Sequence, residues 1–161
     1  MKIIEYEDKY LEDVKELLVQ LEEYIVSIDK DCLDQVHSDY REKMACIDLK
    51  YVNDNNGKCY LALENDKILG LIMGYIPMYD EFDYLDYKCP KRGKISELIV
   101  TSKIRGKGVG QALIEKMEQY FKSKGCEYVL VDVFAYNENA IKFYGKKGYH
   151  PRMFTNIKKI K

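Results

Sequence analysis

The sequence has almost no net charge: 26 lysines and arginines stand against 27 aspartates and glutamates, a formal −1 at neutral pH. A nucleic-acid partner normally requires a basic excess, so none is expected from the global balance. Long apolar runs are also missing. None approaches the roughly 20 residues of a membrane span, and Met1 is followed by Lys-Ile-Ile-Glu-Tyr-Glu rather than by the apolar core of a leader. Cysteine pairing motifs are absent. Cys32, Cys46, Cys59, Cys89 and Cys126 are odd in number, far apart and never Cys-x-x-Cys. That spacing argues against a disulfide framework or a metal site and suits reduced thiols in the cytoplasm. With no repeat, low-complexity tract or compositional boundary, the 161 residues, 47% of them hydrophobic, are expected to form a single domain, 1–161.

The elements can be read in order. Lys2 to Tyr6 reads as a strand, and Asp8 stands where it could cap the next helix. Leu11, Val14, Leu17, Leu18, Leu21 and Ile25 recur at helical spacing. A second helical region is expected over Asp31 to Tyr51, with Leu33, Val36, Tyr40, Met44, Ile47 and Tyr51 on one face; His37 within it reads as a surface residue. Asn53 to Gly57 is a turn signal. Cys59 to Glu64, Asn65-Asp66-Lys67 and Ile68 to Ile76 read as a strand, a hairpin turn and an antiparallel partner, with Gly70 and Gly74 at bulges or close approaches. Pro77 to Gly93 breaks the pattern, and Tyr79, Phe82, Tyr84 and Tyr87 alternate there with Asp80, Glu81, Asp83 and Asp86. Two readings stay open: a solvated loop covering the core edge, or a substrate wall favouring a cation.

Lys94 to Thr101 reads as a nearly continuous apolar strand, Gly108 to Lys124 as an amphipathic helix ended by Gly125, and Tyr128 to Phe134 as a parallel strand. Asn137 is placed to cap a helix over Glu138 to Lys147, and Tyr149 to Ile160 reads as a last strand. Between strand and helix lies Arg105-Gly106-Lys107-Gly108-Val109-Gly110. A helix N-terminus offers unpaired N–H groups and the positive end of the helix dipole, and glycines let an anion approach the backbone. A phosphate-bearing ligand is therefore expected at this junction. Gln111 after Gly110 excludes a P-loop, and the glycine spacing fails Gly-x-Gly-x-x-Gly. Asp132 lies downstream but inside the apolar strand, which weakens a ribose-binding role.

What does match is Arg105-x-x-Gly108-x-Gly110, preceded by the Glu-Leu-Ile-Val strand and followed by Asn137-x-x-Ala140-x-x-Phe143-Tyr144-x-x-x-Gly148-Tyr149. This pattern resembles the GNAT (Gcn5-related) N-acetyltransferase superfamily. The resemblance implies an α/β fold: a mixed, mostly antiparallel central sheet flanked by helices, with a splayed parallel strand pair holding acetyl-CoA. The pyrophosphate would rest on the N–H groups of Arg105, Gly106, Lys107, Gly108, Val109 and Gly110. The pantetheine arm would run along Leu98, Ile99 and Val100, with a contact from Asn137, and a bulge would splay that strand from Tyr128–Phe134. An N–H of Val100 or a neighbour would polarise the thioester carbonyl.

The reaction implied is direct attack by a primary amine of a small molecule or peptide, with a cationic acceptor favoured by the Tyr79–Tyr87 loop. Glu97 is the first candidate to take the amine's proton; its alternative is a structural acid paired with a lysine or the backbone. Tyr144 matches the family tyrosine that donates to the departing thiolate, and its alternative is simple packing. His150 is expected to be structural. A homodimer could form through the last strand. The competing functional class is a non-catalytic acyl-CoA-binding or partner-interaction module on the same fold.

Overall fold

A computed structural model describes residues 1–86 and 88–161. In chain order it contains β1 (Lys2–Glu5), a 3-10 turn (Asp8–Tyr10), α1 (Leu11–Ile28), α2 (Tyr40–Asp54), β2 (Lys58–Glu64), β3 (Lys67–Tyr75) and the one-turn α3 (Asp83–Asp86). Then come β4 (Arg92–Val100), a second 3-10 turn (Ser102–Ile104), α4 (Val109–Ser123), β5 (Tyr128–Val131) and α5 (Glu138–Gly145). The strands lie in the order β1-β2-β3-β4-β5. The first three junctions are antiparallel and β4–β5 is parallel, giving the mixed, mostly antiparallel sheet expected from the sequence.

Side-chain alternation along the strands builds two cores. Cys59, Leu61, Leu71, Met73 and Ile99 meet Val14, Leu17 and Leu18 of α1 and Ala45 and Val52 of α2 on one face. Tyr60, Ala62, Ile72 and Ile95 meet Val109, Leu113, Ile114, Met117 and Phe121 of α4, with Tyr144 of α5, on the other. The hairpin between β2 and β3 turns on Asn65 and Asp66, both with positive φ (49° and 58°), the backbone of a type I′ turn. At its C-terminus α4 closes with N–H bonds from Gly125 to Lys122 O (3.0 Å) and from Cys126 to Phe121 O (3.0 Å), the paired pattern of a Schellman motif.

Four expectations are corrected. Asp8 lies in a 3-10 turn, and no side-chain cap bond forms at the start of α1. The second helix begins only at Tyr40. Before it, the Asp29 carboxylate captures the N–H groups of Asp31 (2.8 Å), Leu33 and Asp34 (3.0 Å), and Cys32 takes a positive φ of 55°, so the local side chain outcompetes helix formation. The buried face of α2 is accordingly Ala45, Leu49 and Val52, while Ile47 and Tyr51 are exposed. β5 stops at Val131 rather than Phe134, because β4 diverges and leaves the later residues no partner. Tyr149–Ile160 forms no strand, and residues 150–161 are exposed. Their apolar members, Met153, Phe154, Ile157 and Ile160, do not alternate with polar residues, so they build no strand face. The expected two-fold strand pairing loses its element.

One close approach holds the α4 face. A Cβ on Gly93 would lie 2.4 Å from Cγ of the fully buried Phe121 ring. Gly93→Ala is therefore expected to lower stability by about 1–3 kcal/mol, read as a lower urea midpoint at constant m-value. An unchanged midpoint would show that Phe121 can move aside.

Candidate active site

The site begins with one extra residue. Met73 of β3 pairs with Glu97, but the next residue, Gly74, pairs with Ile95, so Ser96 is a bulge on β4. Up to that point the odd-numbered residues Gly93 and Ile95 face α4. Beyond it the even-numbered Leu98 and Val100 do, while Glu97 and Ile99 face α1 and α2. A strand without the bulge would have aimed Glu97 into the apolar α4 core.

The same point ends the parallel ladder. β4 and β5 pair from Arg92↔Tyr128 to Ile95↔Val131 and no further. The Thr101 N–H donates to Leu69 O (2.9 Å) within the β3 ladder. By alternation, the N–H groups of Leu98 and Val100 point to the opposite edge, which β5 has left. The gap contains a cavity of about 210 Å³ lined by Leu21, Glu22, Glu97, Leu98, Asn137 and Tyr144, among others. It joins the two faces of the sheet: Glu97 comes from the α1/α2 side and Tyr144 from the α4/α5 side.

Beyond the gap is the glycine turn. Gly106 and Gly108 both have φ of 82°, and a Cβ on either would meet nothing within 4 Å. Backbone conformation, not crowding, demands glycine there. The first turn of α4 begins at Val109, so its leading N–H groups have no helical partner. The Val109 side chain is buried in the core, leaving only its backbone for a ligand. Lys107 is exposed. Arg105 folds back: its Nε donates to Val100 O at 3.2 Å, and its guanidinium stands 5.4 Å from the Tyr24 ring centroid. Asn137 caps α5 as expected, its Oδ1 accepting from Ala140 N–H (3.1 Å) and from the Tyr24 hydroxyl (3.4 Å).

Electrostatics set Glu97 apart. Burial, reinforced by the charges of Asp48 and Glu22, pushes its carboxyl up to about 8. Burial likewise raises Asp48 to about 6. The carboxyl of Glu22 is raised by burial and by the charge of Asp34, against a lowering hydrogen bond from Tyr40. Burial and the charge of Glu97 raise Tyr144, so its hydroxyl keeps its proton. The Tyr144 ring packs edge-on between Phe143 and Tyr149, each with centroids 5.4 Å away, which fixes its direction.

A model of the acetyltransferase (GNAT) family matches residues 22–149. The chain belongs to the GNAT acetyltransferase family. An uncharacterized N-acetyltransferase of Methanocaldococcus jannaschii is 33% identical over 95 residues, 58% of this chain and 54% of that protein. The N-alpha-acetyltransferase MAK3 of Arabidopsis thaliana is 28% identical over 91 residues, 56% of this chain and 44% of that protein. These matches span about half the length of each relative. In structure, a mutant of the BH1408 protein of Bacillus halodurans superposes with a TM-score of 0.85 at 21% identity, over 99% of both chains. Among the described residues, no helix of this GNAT chain is long and apolar enough to cross a membrane.

Sequence reasoning missed Glu22, Tyr24, Tyr40 and Asp48. Two of them carried a signal. Glu22 adjoins Leu21 and lies four residues after Leu18, so an acid stands at the edge of the apolar stripe of α1. Asp48 occupies the same kind of position, three residues after the buried Ala45 and four before the buried Val52. Other expectations moved. Asp132 lies just past the end of β5, exposed and paired with Lys94 at 2.6 Å. No described residue of the 79–86 loop lines the cavity, and Tyr87 lies outside the described residues. Asp80 and Asp83 instead cap that loop's own backbone. His37 and His150 are exposed.

A carboxyl raised on folding holds a proton that the unfolded chain releases near the ordinary value of about 4.3. Its stabilising effect is complete below that value and is lost as pH rises toward about 8, where Glu97 ionises in the folded state. Wild-type stability should therefore fall between about pH 5 and 8, by on the order of 1 kcal/mol per pH unit. Glu97→Gln should flatten that slope in urea titrations. Equal slopes in the two proteins would mean that Glu97 is ordinarily acidic.

Proposed function

We propose that residues 1–161 form one N-acetyltransferase domain that transfers the acetyl group of acetyl-CoA to a primary amine by direct attack. The observation that carries this reading is the meeting of Glu97 and Tyr144 at one cavity, across a gap opened by the bulge at Ser96. The residues present fit the cosubstrate. The glycine turn and the first N–H groups of α4 suit a pyrophosphate, and the unpaired edge of β4 suits an extended amide-bearing arm. Arg105, Gly106, Lys107, Gly108, Val109 and Gly110 would hold the pyrophosphate; Leu98, Ile99, Val100 and Asn137 would hold the arm. When bound, acetyl-CoA supplies an activated acetyl thioester.

The chain's own groups supply the rest. Glu97, once ionised, accepts a proton from the acceptor ammonium and leaves a nucleophilic amine. An ordinary lysine-like amine has a pKa near 10.4, so this step cannot be left to solvent at neutral pH. The Val100 N–H, turned to the open edge, donates to the carbonyl oxygen on which negative charge develops. Tyr144 Oη donates its proton to the leaving sulfur and is reprotonated by the second proton that the attacking nitrogen sheds, while Glu97 returns the first to solvent. With its pKa raised, Tyr144 remains a donor throughout the working range.

The deciding assay is acetyl-CoA consumption over a panel of small amines and peptide N-termini, the latter suggested by the relative named an N-alpha-acetyltransferase. CoA binding without turnover on any amine would favour the non-catalytic module. Tyr144→Phe is expected to lower kcat by about 10²–10⁴-fold, the usual range for a general acid, with acetyl-CoA affinity nearly intact. Unchanged turnover would remove Tyr144 from the acid role. Gly108→Asp should abolish cosubstrate binding, because it adds a negative charge at the anion site and forces a side chain onto a φ of 82°. Wild-type affinity in that variant would refute the pyrophosphate assignment.

A further inference from the structure

The edge of β4 that faces the gap carries a side chain of its own. Thr101 N–H donates to Leu69 O in the β3 ladder (2.9 Å), so alternation turns both the N–H and the C=O of Val100 away from β3, toward the side that β5 has left. There the Nε of Arg105, five residues further along, donates to Val100 O at 3.2 Å. A second contact fixes the same side chain. Its guanidinium stands 5.4 Å from the Tyr24 ring centroid, within cation–π range. The Tyr24 hydroxyl donates to Asn137 Oδ1 (3.4 Å), and the same oxygen caps α5 by accepting from Ala140 N–H (3.1 Å). Arg105, Tyr24 and Asn137 thus tie the turn after β4 to α1 and α5, beside the cavity that Asn137 lines.

This position conflicts with a ligand arm paired along the strand. An extended amide-bearing chain that joins an open edge bonds to its N–H and C=O groups. Val100 C=O is one of those groups, and Arg105 already holds it. The same arginine adjoins Gly106 and stands three residues before Gly108, where the positive φ of both glycines and the start of α4 suit an anion. A guanidinium binds phosphate through paired, charge-assisted N–H bonds, which are stronger than its bond to a neutral carbonyl. Arg105 therefore has two competing kinds of partner: the strand carbonyl it holds in the structure, and a phosphate brought to the turn.

We propose that Arg105 is a specificity residue that covers the strand edge: it holds Val100 O against thioester arms that bring no phosphate, and releases that carbonyl when a pyrophosphate at the glycine turn draws the guanidinium away from its perch on Tyr24. This rests on the acetyl-CoA reading and adds to it how the protein tells a CoA thioester from a shorter one. No covalent bond changes; one hydrogen bond is exchanged for another. Against a neutral pantetheine thioester the protein loses the Arg105 bond with nothing in return. Against acetyl-CoA it gains a stronger one.

The test is calorimetric binding of acetyl-CoA and of S-acetylpantetheine, the neutral arm without pyrophosphate, to the full chain and to Arg105→Ala. The two affinities should move in opposite directions. Acetyl-CoA should bind the variant about tenfold more weakly, for a lost charged contact, and S-acetylpantetheine about three- to tenfold more tightly, for a removed competitor. Tyr24→Leu keeps the charge but removes the perch, so S-acetylpantetheine should tighten there too. A further arm uses wild-type protein alone and stands whatever the variants do: saturating inorganic pyrophosphate should tighten S-acetylpantetheine binding, by the reciprocity of coupled sites. That coupling should vanish in Arg105→Ala. Weakening of both ligands in the variant, with no effect of pyrophosphate on the wild type, would reduce Arg105 to a support of the turn. S-acetylpantetheine bound equally by both proteins, or by neither, and indifferent to pyrophosphate would likewise overturn the specificity role, while acetyl-CoA binding left the acetyltransferase reading standing. Wild-type protein that bound no acetyl-CoA would overturn that reading and the role of Arg105 with it.

Discussion

Hydrogen bonding along β4 changes character halfway. Arg92 to Ile95 pair with β5, Lys94 and Ile95 pair with β3 as well, and beyond Ser96 the strand pairs only with β3. Everything that makes a site follows from the missing half-ladder. Backbone groups that would otherwise be consumed in a sheet are left facing a gap. The gap lets side chains from opposite faces of the sheet approach one another, and the strand that opens it runs on directly into the glycine turn and the N-terminus of α4. A strand edge, a cavity and a helix N-terminus are thus set in line by one event.

The cavity's chemistry is set by what surrounds the acids rather than by the acids themselves. Glu97 and Glu12 are the same residue type on the same chain. Glu12 is exposed, paired with Lys15 and Arg41, and held below the usual carboxylate range by their hydrogen bonds. Glu97 is buried near two other acids and is pushed to about 8. The two environments push the carboxyls to opposite sides of the ordinary carboxylate value. That divergence places one carboxyl where it can exchange a proton near neutral pH and leaves the other permanently ionised. The fold bears the cost of desolvating Glu97 with the two apolar cores on either side.

The sequence made the right half of the site legible because local rules govern it. Asn137 is a helix cap that needs only its own next turn, and the glycines at 106 and 108 answer a backbone requirement within a few residues. The hairpin at Asn65-Asp66 is of the same kind. Helical period was enough to place the stripe of α1 that carries the buried Val14, Leu17 and Leu18. The acceptor side was not legible, because it depends on Asp29 stopping a helix before it starts. The face expected for α2 held Ile47 and Tyr51, whereas the buried one holds Ala45, Leu49 and Val52, and Asp48 beside it was not singled out. Glu22 needed the position of β4 to be known before an acid on an apolar stripe could be seen as deliberate. The last strand was misjudged for want of a partner: its apolar residues have the composition of a strand but not its period.

Ser96 itself is exposed at the rim of the cavity. What matters is that a residue is there at all. The chain stores the direction of Glu97 as a count, not as an identity, so nearly any amino acid at this position should preserve it, whereas losing one residue would invert every side chain that follows. Substitution records for this strand will consequently look permissive at the position on which the active site most depends, and only insertions and deletions will reveal the constraint.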